Sequence, residues 1–412
     1  MKKIAIITAL ILILILSGCT EAVKENSESE SNWNEMTWEE HLQASKGTSV
    51  NLHMWGGSDL VNNYIDQFVA PRLEEKYAIR LNRVPITDAR DMINKLITEK
   101  DVDKTDGSID LMWINGENFA LSKENNLLLG SYADLIPNYS ALIDTSAKDN
   151  LYDFGLATDG MEVPWGKSQF VFVYDSAKIE TPPASMTELL EFAKNNPGKF
   201  TYPAPPDFTG SAFVRNAMIE MQENGDRFLE NLSNEELDQL AQPGLDILSQ
   251  MKPYLWREGM TYPENSGKLD QLYRAGEVWM TMSYNPVHAQ SMIDSGQFPE
   301  TSKTFVLDNG TLSNTHYLAV PFNTTNASGA FVVINEMISF EAQLEKFKPS
   351  VWGDGLAISV NKLSDSEKDM VNSVDRGQST LSPEVLGNHK IPEMSASYVE
   401  VLEDLWYESI AK

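Results

Sequence analysis

The chain has 412 residues, a formal net charge of −28 and a single cysteine. So acidic a chain is repelled by nucleic acid and by anionic membrane surfaces, and a lone cysteine excludes an intramolecular disulfide. Hydrophobic residues make up 42% of the chain and nine residues are Trp, which indicates a packed globular protein. Because single cores stop growing near ~250–300 residues, the length predicts two lobes.

The first residues predict an export signal. Met1–Lys3 is positively charged, and residues 4–16 are almost wholly apolar but too few to span a bilayer. The Leu-Ser-Gly sequence that precedes Cys19 resembles the lipobox of bacterial lipoproteins, in which the Cys thiol is lipidated; the alternative is an ordinary signal peptide with a chance cysteine. We predict a signal peptide over residues 1–18 and a lipid anchor on Cys19, which would hold an extracytoplasmic protein at the bacterial cell membrane.

A polar, acidic segment follows the predicted anchor. Residues 20–34 contain few apolar side chains and cannot bury enough surface to fold. We therefore predict that residues 19–48, counted from the lipidated cysteine, form a disordered tether.

From residue 50 onward, strand-like and helix-like segments alternate. Residues 50–55 predict a strand, and apolar residues at helical spacing over 59–76 predict a helix. The order strand–helix–strand–helix–strand predicts a parallel sheet with crossover helices, and hence an α/β fold. The remaining predicted segments are strands at 79–84, 109–114, 169–174, 277–283 and 315–320, and helices that start at Thr87–Asp88, Ser185, Ser233 and Ser364 and near residues 213 and 397.

Two predicted parallel strands end on similar turns. The sequence WGGS follows the first strand and WINGEN follows the third. Because ligands bind at the carboxyl edge of parallel strands, both turns are expected to line one cleft. The candidate ligand-binding residues on this lobe are Trp55, Gly57, Ser58, Asp59, Trp113 and Asn115, with Glu117 and Asn118 nearby.

A second group of candidates lies later in the chain. Each follows the same pattern of an aromatic residue beside small polar residues, as in PWGKS, DFTGS and SYNP. A Gly-Ser pair at a helix start leaves free N–H groups that can receive a ligand oxygen, although each Trp could equally be a core residue and each Gly-Ser a simple cap. These candidates are Trp165, Phe208, Thr209, Ser211, Tyr284 and Asn285.

The motifs of common enzymes are missing. The sequence has no GxSxG elbow, P-loop, HExxH or CxxC pair, and its five His are not at metal-ligand spacing. We predict no catalytic residue, no metal and no cofactor. Carboxylates are frequent in so acidic a chain, so a glycosidase is not excluded by sequence.

Four stretches carry a resemblance to a known family. WGGSDLVNNYIDQFVAPRL, IDLMWINGENF, DGMEVPWGKSQFVFVYD and NNPGKFTYPAPPDFTGSAFVR resemble the YnjB-type ABC-transporter substrate-binding proteins. The resemblance is dense over residues 52–218 and loose elsewhere. It implies a type II periplasmic-binding-protein fold, in which two lobes close on a ligand by hinge motion. It also implies an ABC permease and its ATPase as partners of a monomeric receptor.

The resemblance suggests how the chain divides into lobes, each with a mainly parallel sheet flanked by helices. We expect lobe one to comprise residues 49–165 and about 290–345, and lobe two residues 166–289 and about 346–412. Lys167 stands where the pattern suggests an uncharged residue. We expect its side chain to point outward. The alternative is that it points into the cleft, where it would pair with an anionic group and argue against a cationic ligand.

The predicted function is capture of a small solute for an ABC importer. Trp-rich walls with carboxylates favour a thiamine-like or other cationic compound, which Asp59 and Glu117 would neutralise. A sugar is the alternative ligand, because sugars also stack on Trp and bond to Asn, Asp and Ser. The alternative functions are a surface glycan-acting hydrolase and a sensor or adhesin that uses the same fold.

Overall fold

The computed structural model describes residues 33–86 and 89–412. The chain divides into two compact units, Met1–Met36 and Thr37–Lys412. In the first unit the described residues form one 3-10 turn, Trp33–Glu35. The predicted signal peptide, the lipidation site Cys19 and the predicted Thr87–Asp88 cap lie outside the described residues. The end of the predicted disordered tether, residues 19–48, is not disordered, because Trp38–Ser45 forms a helix in which His41 and Ser45 are buried.

The second unit contains eleven described β-strands, numbered here in chain order. They are β1 Ser49–Trp55, β2 Arg80–Ile86, β3 Leu111–Ile114, β4 Tyr152–Asp153, β5 Leu156–Ala157, β6 Glu162–Gln169, β7 Val171–Asp175, β8 Met280–Ser283, β9 Ser302–Phe305, β10 Thr311–Ala319 and β11 Lys390–Pro392.

The first sheet has the order β11-β10-β3-β1-β2, and β6 pairs with residues 313–319 of β10 off this path. Strand β1 is parallel to both β2 and β3, as the alternating sequence pattern predicted, whereas β10 runs antiparallel to β3 and β6. The pairing of Leu52 with Leu111 brings the carboxyl ends of β1 and β3 to the same edge of the sheet. The expected common edge of the WGGS and WINGEN turns is therefore confirmed.

The second sheet has the order β8-β7-β9, and both of its pairings are antiparallel. A mainly parallel sheet was expected in each lobe, and this sheet differs because its central strand β7 runs opposite to both of its neighbours. The segment 169–174 was predicted as one strand, but Gln169 ends β6 in the first sheet and Val171 starts β7 in the second. Phe170 carries the chain from one sheet to the other.

Strand pairing also distributes the late segments between the sheets. β9 pairs with β7 in the second sheet, whereas β11 pairs with β10 in the first. Residues 290–345 were expected in lobe one and residues 346–412 in lobe two. Each of these ranges contains elements next to both sheets. The lobe boundaries stay a prediction.

Helices cover both sheets. They are α1 Trp38–Ser45, α2 Asp59–Asn63, α3 Ala70–Tyr77, α4 Ala89–Asp101, α5 Glu117–Glu124, α6 Pro137–Leu142, α7 Lys148–Leu151, α8 Met186–Asn195, α9 Phe208–Glu220, α10 Asn234–Met251, α11 Ser266–Arg274, α12 His288–Asp294, α13 Ala327–Met337, α14 Phe340–Phe347, α15 Asp365–Asn372, α16 Pro383–Asn388 and α17 Ala396–Trp406. Among the described residues, no helix is both long enough and apolar enough to cross a bilayer.

The helix starts predicted from capping residues are confirmed where the structure describes them. Ser233 and Ser364 each form a reciprocal box, in which the hydroxyl accepts from the third helical N–H and the Glu at that position accepts from the Ser N–H. Ser185 Oγ accepts from the Glu188 N–H at 3.1 Å, but the Glu188 carboxylate accepts from Ala184 instead. The sequence pattern therefore predicts these helix starts correctly because the capping hydrogen bonds on which it depends are present.

Two buried carboxyl groups lie next to the first sheet without a cationic partner among the described residues. Glu162 begins β6, is 1% exposed, and has no hydrogen-bond partner on either carboxyl oxygen. Asp153 at the end of β4 accepts the Gly116 N–H at 2.6 Å. Burial raises the pKa of both groups well above the usual range. The nearby Glu393 raises the pKa of Asp153 further, and Asp153 does the same for Glu162.

We predict that Glu162 makes the protein less stable as the pH rises. Because its folded-state pKa is raised, its contribution is fully present below the unfolded pKa of about 4.3 and is lost as the pH rises through the folded-state value. Glu162→Gln should therefore weaken the pH dependence. Between pH 5 and pH 8 the unfolding free energy of Glu162→Gln should rise relative to that of the wild type. The rise should be about 1.4 kcal/mol for each pH unit in which Glu162 is protonated in the folded protein but not in the unfolded chain. Urea unfolding at both pH values measures this.

Glu75→Gln is the matched control, because Glu75 is exposed on α3. It should change unfolding free energy equally at pH 5 and pH 8. The same pH dependence in wild type and Glu162→Gln would show that Glu162 is not the group that titrates.

Candidate functional site

A cavity of about 1100 Å³ lies between the two sheets. Its walls come from the carboxyl edge of β1 and β3, from one face of β6 and β10, and from the helices and turns that follow β8. This is the cleft that the two Trp-containing turns predicted, and the residues that line it come from distant parts of the chain.

Trp55 and Ser58 form the part of the wall that follows β1. The Trp55 side chain is 47% exposed and lines the cavity, and its ring lies over Gly57, where an added Cβ would come within 2.3 Å of the ring. Ser58 caps α2 by accepting the Val61 N–H at 3.5 Å. Glycine at position 57 therefore leaves room for the Trp55 indole to fold across the turn.

Trp113 and Asn115 line the cavity from the end of β3, and Trp113 belongs to an aromatic cluster. Its ring centroid lies 5.2 Å from that of Trp165, 5.2 Å from that of His316 and 5.8 Å from that of Trp352. His316 stacks on Trp352 with an interplanar angle of 12°. Trp113, His316 and Trp352 face the cavity, whereas Trp165 lies behind them and is 0% exposed.

Asp354 holds this aromatic wall from behind. His316 Nε2 lies 3.0 Å from Asp354 Oδ1 and 3.1 Å from Oδ2, and the fully buried Lys346 Nζ lies 2.5 Å from Oδ2. Burial opposes ionisation of Asp354, yet the His316 and Lys346 groups keep the pKa of Asp354 below its usual value. Gly166 allows the contact, because a Cβ there would lie 2.1 Å from Asp354 Oδ2.

The second sheet contributes a separate aromatic pair. Phe208 at the start of α9 is 46% exposed, and its ring centroid lies 4.9 Å from that of Tyr284, which follows β8. The Tyr284 hydroxyl donates to Glu393 Oε1 at 2.6 Å, which fixes the ring. Phe208, Thr209, Tyr284 and Asn285 all line the cavity.

Asp207 is a carboxylate on the cavity wall that sequence reasoning passed over. Its Oδ1 accepts the Gly210 N–H at 2.9 Å and its Oδ2 accepts the Ser266 N–H at 3.3 Å, so it caps α9 and contacts the start of α11. Burial raises the pKa of Asp207 in spite of these N–H donors. A cation bound beside it would favour the ionised form.

The structure brings eight of the twelve candidate residues to one cavity. They are Trp55, Ser58, Trp113, Asn115, Phe208, Thr209, Tyr284 and Asn285. Their spacing along the chain gives no hint of this, and the carboxyl-edge argument accounts only for the four on the first sheet.

Four candidates do not line the cavity. Gly57 supports the Trp55 ring, and Asp59 is exposed at the start of α2. Trp165 is buried behind Trp113. Ser211 is buried in α9, where its hydroxyl contacts Glu403 Oε1 at 2.5 Å and receives a hydrogen bond from Arg215 at 2.6 Å.

The expected neutralising groups and Lys167 also lie elsewhere. Glu117 forms an exposed ion pair with Arg90 at 3.3 Å, and Asn118 is not part of the wall. Lys167 does not line the cavity; its Nζ lies 2.6 Å from Asp149 Oδ2. This follows from strand alternation, since Lys167 and Ser168 project to opposite faces of β6 and Ser168 lines the cavity.

Several wall residues were missed by sequence reasoning. They include Trp352, His316, Asn314 and His288. His288 Nε2 lies 2.8 Å from Asp270 Oδ2. His316 and Asn314 could have been found from the alternation of β10, but Trp352 lies in a loop after α14 that carries no periodic signal.

The wall has a definite electrostatic character. Among the described residues, its lining contains Asp207 and Asp294 but no Lys and no Arg. No group of three or more His, Cys, Asp or Glu among the described residues is arranged to hold a metal ion. The arrangement suits a neutral or cationic molecule with an apolar body.

The protein has two sheets covered by helices, a chain that crosses from one sheet to the other, and a cavity between the sheets. This is the arrangement of the two-lobed solute-binding proteins. Residues 67–372 match the family of bacterial extracellular solute-binding proteins, and the chain belongs to this family. It is 36% identical to Protein YnjB of Escherichia coli over 370 residues, which cover 90% of this chain and 92% of the relative.

Solved structures confirm the two-lobed α/β fold. An ABC transporter protein from Clostridium perfringens superposes with a TM-score of 0.62 at 16% identity, covering 88% of this chain and 98% of that one. The TpPotD lipoprotein of Treponema pallidum gives 0.63 at 13% identity, covering 88% and 99%. The spermidine/putrescine ABC transporter substrate-binding protein PotD of Streptococcus pneumoniae gives 0.61 at 12% identity, covering 87% and 99%.

We predict that Asp354→Asn is strongly destabilising. The substitution leaves the Lys346 ammonium buried without its counter-charge, which costs about 3–5 kcal/mol of unfolding free energy. Urea unfolding measures the loss. The control Asp238→Asn makes the same change on the exposed face of α10 and should stay within about 0.5 kcal/mol of wild type. Equal effects of the two substitutions would contradict the role of Asp354.

Proposed function

We propose that the protein is an extracytoplasmic receptor that captures a small solute in the large cavity and delivers it to the permease of an ABC importer. The observation that carries the proposal is the pair of exposed aromatic side chains, Trp55 at the end of β1 and Phe208 at the start of α9, which come from distant parts of the chain and line the same cavity. Exposed aromatic rings that converge on a cavity are unfavourable in water and are the usual anchors of a bound ligand. Family membership supports the same function.

The ligand we propose is a cation with a flat or apolar body, of which a thiamine-like compound is one example. Aromatic faces attract cations, and the described part of the wall has two carboxylates and no Lys or Arg to repel a positive charge. Asp207 is the residue we assign to contact the cation, because it lines the cavity and, among the described residues, its carboxyl group bonds to backbone N–H groups and to no cation.

A sugar is the alternative ligand, supported by the neutral polar part of the same wall. Asn115, Asn285 and Asn314 offer amides, and seven serines offer hydroxyl groups. A glycan-acting hydrolase has less support, because Asp207 already caps α9 and Asp294 is exposed at the end of α12 with Gln290 as its partner. We propose that the chain performs no chemistry of its own.

We also propose a lipid anchor on Cys19, which rests on the sequence alone. The apolar run, the Leu-Ser-Gly sequence and the position of the single cysteine support it. Acyl chains there would tether the receptor to the membrane, since each buried CH2 contributes about 0.8 kcal/mol.

The ligand proposal is tested by thermal shift of the purified chain against thiamine and its phosphates, polyamines, sugars and amino acids. A ligand at a hundred times its dissociation constant adds about 2.7 kcal/mol. A cation should raise the midpoint, and Trp55→Ala should weaken its binding about tenfold with little change in stability, because Trp55 is half exposed. Shifts from sugars alone would support the alternative ligand.

Trp165→Ala shows how the loss of a buried core Trp differs from the loss of a Trp on the cavity wall. Trp165 is fully buried, so the substitution should cost about 3–5 kcal/mol of stability. If Trp55→Ala lowered stability as much and left affinity unchanged, Trp55 would be a packing residue and the proposed cavity wall would be wrong.

The anchor is tested by Cys19→Ser in a bacterial expression host fed radiolabelled palmitate. Wild type should carry label and sediment with membranes, whereas Cys19→Ser should carry none and stay in the soluble fraction. Equal labelling of both proteins would rule out Cys19 as the lipidated residue.

A further inference from the structure

A second, smaller cavity lies on the other side of the β6–β10 pair. Its volume is about 290 Å³, roughly ten water molecules at about 30 Å³ each. Its wall includes the carboxyl groups of Asp149, Asp153 and Glu393 and the rings of Tyr152 and Phe154. None of these side chains lines the large cavity, which shares only Asn314 with it.

The three carboxyl groups differ in whether the protein neutralises them. Asp149 pairs with Lys167 at 2.6 Å, and Glu393 pairs with Arg215 at 3.1 Å. Asp153 is 2% exposed and accepts the Gly116 N–H, with no Lys, Arg or His of the described residues at ion-pair distance. Asp153 is therefore a buried acid on a cavity wall that lacks a counter-charge.

A second polar group on this wall also lacks a partner. Asn314 is 8% exposed, and its Oδ1 accepts no hydrogen bond. A buried carbonyl oxygen without a donor costs roughly 1–3 kcal/mol, so such groups in a native fold call for an explanation. The wall therefore offers an unpaired acceptor at Asn314 and, at Asp153, a carboxyl group that has one backbone donor and no counter-charge among the described residues.

The backbone at this cavity is strained in a way that presents an aromatic ring. Phe154 and Gly155 form the turn between β4 and β5, with φ of 42° and 77°. Positive φ is usual for Gly in such turns but costly for Phe, and strain of this kind concentrates at binding sites. The Phe154 ring lies against Gly116, beside the N–H that Asp153 accepts.

We propose that the second cavity binds the ammonium group of a small primary amine. The three N–H donors of an ammonium suit the acceptors of Asp153 and Asn314, and the positive charge suits both the carboxylate and the Tyr152 and Phe154 faces. The exposed side chains of Tyr152 and Leu229 form the entrance, which lets a short alkyl chain extend outward. The site shares Asn314 with the large cavity, but the proposal does not depend on the function proposed for that cavity.

The test is calorimetric titration of the full chain in non-ionic detergent with n-butylammonium, with n-butanol as the neutral probe of equal length. Saturable binding of n-butylammonium, at least tenfold tighter than that of n-butanol, is expected. Asp153→Asn should weaken it at least tenfold, and Tyr152→Ala several-fold. Tyr152 is half exposed, so that variant keeps the test decisive if Asp153→Asn does not fold.

Two controls define the site. Asp238→Asn makes the same charge change on exposed α10, and Trp55→Ala alters the large cavity; both should bind n-butylammonium as wild type does. The proposal is overturned by absence of saturable binding, by equal binding of n-butanol, or by binding that Trp55→Ala abolishes and Asp153→Asn leaves intact. The last result would place the amine in the large cavity.

Discussion

The antiparallel pairing of β6 with β10 is the constraint on which the rest of the structure depends. Opposite faces of this ribbon form walls of the two cavities, and its end at Gln169 leads through Phe170 into the second sheet. Asn314 pairs with Ser168, and His316 pairs with Gly166. Because residues two positions apart in a strand share a face, the polar side chains of Asn314 and Ser168 lie on the same face of the ribbon as the His316 ring. A shift of one residue in this register would exchange the residues that face the two cavities.

A bulge in the same ribbon creates the aromatic wall. His316 pairs with Gly166 and Tyr317 pairs with Pro164, which leaves Trp165 as an extra residue in β6. A bulge of this kind turns a side chain away from its regular direction. The Trp165 ring enters the interior against Trp113, and the carbonyl freed by the bulge accepts from Gln343 at 2.8 Å.

The elements that could be predicted from sequence are those with a local signal. Ser233 and Ser364 marked helix starts because the capping bonds join residues three apart, and Trp55 and Trp113 shared an edge because their strands are parallel neighbours. Trp165 was misplaced because it was chosen as an aromatic residue beside small polar residues ahead of a strand, whereas it lies within β6 at a bulge. The break at Phe170, the wall residue Trp352 and the Asp354 carboxylate behind the wall depend on contacts between segments far apart in the chain, which no short pattern records.

Buried charge distinguishes the two cavities. Behind the large cavity, Asp354 is balanced by Lys346 and bonded to His316, so this charge is internally compensated and serves to hold a rigid aromatic surface. At the second cavity, Asp153 has an N–H donor but no balancing cation among the described residues. Desolvating a carboxylate is costly without such a partner, so the fold tolerates Asp153 either as a neutral acid or with a cation from solution. The buried Asp354 therefore supports the wall of the large cavity, whereas Asp153 lies uncompensated on the wall of the second cavity, which is why the two cavities are expected to respond to different substitutions.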